Sequence, residues 1–454
     1  MLVLNLRGPL VEQRSGSARD QALQELKGQP MDQVQLRDLI TVLDAAARDD
    51  KIGSVLLQLD EFAGAGLPNL REATLAIARF KSASKKKVVA WGMHFDQRQY
   101  LLASAADEVY MHPMGVLQIN GVGNQRNYYL DAFERLGVQA NVVRVGKYKN
   151  FGEPYFANGP SKETLESDAY LYDALWASYT SAVEKARKLP AGSVAQGIEQ
   201  LPQRLAAAGG DAAKVALDAK LLDGLKTRDQ LRELLVQRGA KDDAAGTFRQ
   251  VGFADYLSRK RTTNLGDAIG VVVAQGDIVD GNANPGSVGG LSTSDLVRRA
   301  REDKSIKAIV LRVSSPGGSA FASELVRREL ELTRAAGKPV VVSMGDVAAS
   351  GGYWIAMAAD EVIADPATVT GSIGVFGMLP TAAGLMAKLP VHTEGYGTTW
   401  LVNAYDPRKP LDPRFAAVVQ SAIGHTYSQF TTLAAAARKT TPRRSTPWRR
   451  AACG

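Results

Sequence analysis

The chain has 454 residues, 45% hydrophobic and 22% charged, with a formal net charge of +8. This length and balance suit a folded protein of two or more domains, each with a sizeable core, and exclude a disordered or fibrous chain. The positive charge does not point to nucleic acid. Four of the basic residues (Arg443, Arg444, Arg449 and Arg450) crowd into a short tail, and elsewhere Lys and Arg alternate with acids without an aromatic-plus-basic stripe. Cys453 is the only cysteine, so no intramolecular disulfide forms and the folded body has no cysteine nucleophile. No stretch approaches the roughly 18 apolar residues of a membrane span, and no signal peptide precedes the first element.

In chain order, Met1–Leu6 reads as a strand. Later segments repeat each other. "KKKVVAWGMHFDQRQYLLASAADEVYMHPMGVLQINGVG" from Lys85 parallels "GKPVVVSMGDVAASGGYWIAMAADEVIADPATVTGSIGVFG" from Gly337. The shared Ala-Ala-Asp-Glu-Val sets Asp107 against Asp360, an offset of 253 residues. Upstream, "DAAARDDKIGSVLLQLDE" parallels "RAREDKSIKAIVLRVSS" with a one-residue slip, and "LVLNLRGPLVE" parallels "IGVVVAQGDIVDG". The chain is therefore read as two related units: an N-terminal repeat over 1–237, a polar connection over 238–266, and a C-terminal repeat over 267–442. In the second unit, Gly270–Ala274, Ala308–Val313 and Pro339–Met344 read as strands. Ser292–Glu302, capped by Ser294 or Asp295, and Gly318–Ala335 read as helices, and Gly281–Gly290 as a mobile loop. Strand–helix–strand alternation predicts an α/β fold of parallel sheets with right-handed crossovers.

Two glycine-rich turns in the second unit carry the candidate chemistry. Ser315-Pro316-Gly317-Gly318-Ser319 follows the strand ending at Val313, and Ala348-Ala349-Ser350-Gly351-Gly352-Tyr353 follows the strand ending near Met344. Small residues let a substrate backbone approach, and a serine opening a helix lies beside unpaired amides. Amides of Gly317, Gly318 and Gly351 are candidates for an oxyanion hole. Each turn alone is better explained by backbone geometry; the pair on adjacent strands favours a site.

"SPGGS", "MGDVAASGGYWIA" and "TGSIGV", in this order, resemble the signal peptide peptidase A family of the Clp-protease and crotonase-like superfamily, in its long, duplicated form. The resemblance implies tandem Clp/crotonase-like domains, Ser350 as nucleophile and a lysine as its base. "VVRVGKYKNFGEP" resembles the family's lysine segment and sets Lys149 as that base, with Lys147 as the rival and Asn150 and Phe151 standing where smaller residues are usual. Of the four histidines, His94, His112, His392 and His425, only His392 falls where a Clp-type histidine would be sought. The internal alignment agrees with a divided site: Gln97 and Arg98 stand opposite Ser350 and Gly351, and the counterpart of Lys149 falls near Asn403, with no lysine adjacent. The family further implies hydrophobic peptide substrates such as cleaved signal peptides, a tetrameric homo-oligomer, and a cytoplasmic-membrane anchor with the catalytic part on the periplasmic or outer side. That anchor would precede Leu2 and is missing from this sequence. The resemblance implies no cofactor, and the sequence contains no P-loop, HExxH or Cys/His cluster.

The tail at 443–454 departs from the family. Its last eleven residues can be encoded so that a shifted frame reads Pro-Ile-Asp-Ala-Val-Ala-Gln-Gly-Arg-Val-Trp, as in the family, which points to a frameshift near Arg443 and a truncated second repeat. Two rival readings follow: a catalytically inactive, truncated scaffold, and a crotonase-type acyl-CoA enzyme.

Overall fold

The computed structural model describes residues 1–16, 19, 33–260 and 266–440. The expected frameshifted tail at 443–454 lies outside them.

The first repeat is built on β1 (Leu2–Asn5), β2 (Ser54–Gln58), β3 (Lys87–Gly92) and β4 (Glu108–Met111). Helices α1 (Leu36–Arg48), α2 (Leu67–Ser84) and α3 (Gln97–Ser104) lie between them. β5 (Gln139–Val145) and the long α4 (Lys162–Arg187) follow, then β6 (Gly224–Leu225), β7 (Val251–Gly252) and α5 (Phe253–Lys260). The sheet order is β6-β4-β3-β2-β1-β7, all parallel. One face of α1 (Leu36, Leu39, Val42, Leu43 and Ala46) recurs at helical spacing and is buried against Val55, Leu57, Val88 and Ala90 of the sheet.

The second repeat has β8 (Ala268–Gln275), α6 (Gly290–Glu302), β9 (Ile306–Ser315), α7 (Ala320–Ala335) and β10 (Val340–Ala349). After these come α8 (Gly351–Ala356), β11 (Glu361–Ile363), β12 (Val369–Gly371), β13 (Val375–Thr381) and α9 (Pro413–Ala437). Its sheet runs β8-β9-β10-β11, with β12 also on β10, again parallel. Strand order thus repeats from β1–β4 to β8–β11, and the fold is the duplicated α/β, parallel-sheet class expected.

The repeated Asp has the same task in both halves. Asp107 takes the Val88 amide on its carboxylate at 2.9 Å and ion-pairs with Lys81; Asp360 takes the Val340 amide at 2.8 Å and ion-pairs with Arg334. It fastens the start of the strand that follows it to the neighbouring strand and to the helix before that neighbour, so the motif that revealed the duplication is structural.

Three expectations are corrected. The segment 238–266 is not a plain connection: β7 pairs with β1, and Phe253, Tyr256 and Leu257 of α5 enter the first core. The apolar spacing of 253, 256 and 257 is a helical pattern hidden among polar neighbours. Helix α6 starts at Gly290 with Gly289 at its N-cap, and Ser294 bonds back to the Gly290 carbonyl rather than capping. Within the Gly281–Gly290 loop, Val288–Gly289 pairs in parallel with Ile278–Val279.

The repeats are joined by an antiparallel ribbon in which β5 pairs with β13 from Gln139↔Thr381 to Val145↔Val375. One strand comes from each half. This ribbon delivers the chain beyond Val145 to the C-terminal ends of the second sheet.

Candidate active site

Ser350 sits at the junction of β10 and α8 with φ 54° and ψ −116°. A non-glycine residue in that region costs roughly 1–3 kcal/mol and is held only where its surroundings dictate it. Here the Ser350 amide donates to the Gly371 carbonyl at 2.8 Å, and its carbonyl accepts the Trp354 amide at 2.9 Å as α8 begins. Gly317 presses against this corner from β9. A Cβ on Gly317, whose φ is +106°, would lie 2.6 Å from the Gly351 nitrogen and 2.8 Å from the Ser350 Cβ. The glycine turn is therefore needed for close approach.

The three amides proposed for an oxyanion hole differ. The Gly317 amide donates to the buried Ser315 Oγ at 3.1 Å, so it shapes the turn and is removed from the donor set. The Gly318 and Gly351 amides donate to no group among the described residues. A Cβ on Gly351 would fall 3.2 Å from the Gly318 nitrogen, so the two donors flank one place beside Ser350.

Lys149 reaches this corner from the other repeat. Beyond β5 the chain turns at Gly146 (φ +113°), whose carbonyl takes the Lys149 amide. The Lys149 stem then runs over Gly374, where a Cβ would come within 3.2 Å of the lysine Cβ and Cδ. Lys149 Nζ lies 3.1 Å from Ser350 Oγ, 3.1 Å from Ser372 Oγ and 3.2 Å from the Ser372 carbonyl. No carboxylate pairs with it among the described residues. Burial pushes the ammonium down to about 8, which leaves the amine neutral about one time in ten at pH 7. Lys147, by contrast, is exposed and pairs with Glu163 at 3.3 Å.

The lysine loop is braced from below. Glu153, almost fully buried, accepts from the Ser161 amide (3.0 Å) and the Thr164 hydroxyl (2.5 Å) at the start of α4. The two unusual residues have definite places: Asn150 is buried and accepts from Arg144 Nη1 at 2.5 Å, while Phe151 is exposed with its ring 5.2 Å from that of Phe376. Ser372 and Glu153 were missed as site residues from sequence, although both lie inside quoted motifs, "TGSIGV" and "FGEP".

Ser350, Lys149, Ser372 and the glycine turns open into a cleft of about 770 Å³, walled by Tyr129, Tyr155, Phe376 and Phe430 among others. None of the four histidines lines it. In the first repeat the corresponding corner is filled. Arg98 lies over Gly64, the counterpart of Gly317, with its stem about where a Cβ would go (2.8 Å). Gln97 spends its amide on the Asn120 and Gly121 amides and the Gly121 carbonyl.

The family model for peptidase family S49 matches residues 80–241 and 333–451. The chain belongs to peptidase family S49. It is 38% identical to Protease 4 of Salmonella typhi over 445 residues, 97% of this chain and 72% of that one. To Protease 4 of Haemophilus influenzae it is 37% identical, covering 94% and 70%. To the chloroplastic serine protease SPPA of Arabidopsis thaliana it is 31% identical, covering 92% and 62%. Among solved structures, a 1510-N membrane-bound stomatin-specific protease matches 56% of this chain and 88% of its own at 11% identity, with a TM-score of 0.25. As an S49 member the chain is a serine protease of the signal peptide peptidase type.

Proposed function

We propose that the chain is a serine endopeptidase in which Ser350 is the nucleophile and Lys149 its general base. The observation that carries the reading is the 3.1 Å contact between a lysine of one repeat and a strained serine of the other. With Lys149 neutral, its two hydrogens are satisfied by the Ser372 carbonyl and hydroxyl, and its lone pair faces the Ser350 hydroxyl. Ser350 Oγ attacks the peptide carbonyl as its proton passes to Nζ. Charge on the carbonyl oxygen is taken up by the Gly318 and Gly351 amides. The ammonium then returns the proton to the departing amine, leaving an acyl-serine. Water, deprotonated by the same lysine, releases the acid and restores Ser350.

The aromatic walls suit hydrophobic peptides, and the resemblance to the signal peptide peptidase A family supports a role in degrading signal peptide remnants. Assembly as a homotetramer and anchoring to the cytoplasmic membrane with the catalytic part outside belong to the same proposal. No helix among the described residues is long and apolar enough to cross a membrane.

A fluorophosphonate probe followed by peptide mapping tests the reading. The expected result is a single adduct on Ser350 that disappears in Lys149→Ala. A folded protein that takes no label is the inactive scaffold, and the proposal is wrong.

A further inference from the structure

Because the two candidate catalytic groups come from different repeats, whatever sets the docking of the repeats sets their distance. The ribbon of β5 and β13 guides Lys149. A second joint lies upstream of Ser350, and it involves a helix cap that has changed owner. In the second repeat, Ser319 caps its own helix: its Oγ accepts the Ala322 amide at 3.2 Å. The position 253 residues earlier is Gly66, the N-cap of α2, which has no side chain to do this. Asp346 of β10 does it instead, from the other repeat. Its Oδ2 accepts the Gly66 amide at 3.1 Å and its Oδ1 the Asn69 amide at 2.9 Å. A Cβ on Gly66 would lie 2.2 Å from the Asp346 Cγ, so the borrowed carboxylate stands where the native cap's side chain would be.

Asp346 lies four residues before Ser350, on the strand that leads directly into it. Neighbouring groups strengthen the joint. Arg312 of β9 reaches Glu12 (2.7 Å) and Glu72 (2.8 Å) of the first repeat while donating to Ser343 of β10 (2.8 Å). Arg71 of α2 pairs with Asp365 at 3.0 Å.

We infer that Asp346 is a positioning residue: by capping α2 of the first repeat it fixes the Ser350 strand at the distance Lys149 requires. The inference rests on the Ser–Lys reading above. Loosening this joint lets Lys149 and Ser350 separate, and the lysine regain solvent. The charged groups around the cap are Arg312, Glu12, Glu72, Arg71 and Asp365. None of them is hydrogen-bonded or ion-paired to Lys149, whose neighbours are Ser350, Ser372 and, through its backbone carbonyl, Arg144.

The test compares Asp346→Ala, the milder Asp346→Asn, and Asp346→Ala with Gly66→Ser, on one fluorogenic hydrophobic peptide across pH 6–10. The double variant gives α2 a cap of its own, as Ser319 does, without restoring the tether. Expected is a fall in kcat of about 10- to 100-fold in Asp346→Ala with KM within about twofold. The pH at which kcat/KM reaches half its plateau moves upward from about 8. Asp346→Asn falls in between, and Gly66→Ser restores melting temperature but neither kcat nor the pH limb. Recovery of both kcat and the limb by Gly66→Ser would show a cap that merely stabilises α2 and overturns the inference. Ser350→Ala and Lys149→Ala are measured alongside. Activity surviving in either overturns the Ser–Lys reading itself, whereas activity lost in both beside a wild-type Asp346→Ala overturns only the positioning role.

Discussion

Replacing Lys149 by methionine separates the cost of the lysine from its use. Methionine keeps the length and apolar stem but removes the amine. In the folded state burial lowers the lysine from 10.5 to about 8, whereas unfolding returns it to its ordinary value. Between those limits the unfolded chain binds more protons, so stability contributed at this site rises with pH across the window. Below about pH 8 the full penalty is present: 2.5 units at 1.36 kcal/mol each set a ceiling of about 3 kcal/mol. Part of it is offset by the bonds to Ser350 and Ser372, whose hydroxyls face a roomy cleft in the variant. Lys149→Met is thus expected to be more stable than wild type by about 1–3 kcal/mol at pH 7. The gain shrinks above pH 8 and is gone by about pH 10.5. The assay is urea unfolding at half-unit pH steps, with fluorophosphonate labelling of each native sample. A variant that is equally stable at every pH, or that still labels Ser350, would refute the buried-base reasoning.

Four further outcomes follow from the site. Wild-type kcat/KM rises with pH and levels off above about 8, as a base that must lose its proton requires; a flat profile from pH 6 to 9 contradicts that role. Ser372→Ala removes one of the groups holding the amine and is expected to lower kcat about tenfold without abolishing Ser350 labelling, read by steady-state kinetics and mass spectrometry. Gly317→Ala forces a side chain into the Ser350 corner at positive φ and is expected to lose labelling and about 2 kcal/mol or more of stability, read by probe and urea titration. Gln97→Ala, in the filled corner of the first repeat, is expected to leave kcat unchanged while lowering stability by about 1–2 kcal/mol.

What was legible in the sequence was whatever depends on local pattern. Apolar alternation and glycine turns marked the strands and corners of the second repeat, and self-comparison exposed the duplication. Tertiary contact was harder to see. Phe253, Tyr256 and Leu257 lie in a polar stretch, and only their packing into the first core makes α5 part of that repeat. The Gly317 amide looked equivalent to its neighbours until the buried Ser315 hydroxyl was seen to occupy it. Ser372 lay within a quoted motif, but its role depends on a lysine 223 residues away in sequence.

The complementary losses in the two repeats have a physical explanation beyond the absence of selection for a second site. An empty copy of the corner in the first repeat would leave a glycine turn and unpaired amides around a void. Arg98 and Gln97 remove that cost, one by covering Gly64 and the other by holding the Asn120–Gly121 backbone. The second repeat retains the opposite arrangement, with amides at Gly318 and Gly351 that have no acceptor among the described residues and Ser350 in a strained conformation. In the proposed mechanism it also depends on the first repeat for the amine that activates Ser350. Stability at one corner and reactivity at the other are therefore linked through the joint between repeats. Substitutions at Asp346 or Arg312 should accordingly affect the reaction more than their distance in sequence from Lys149 suggests.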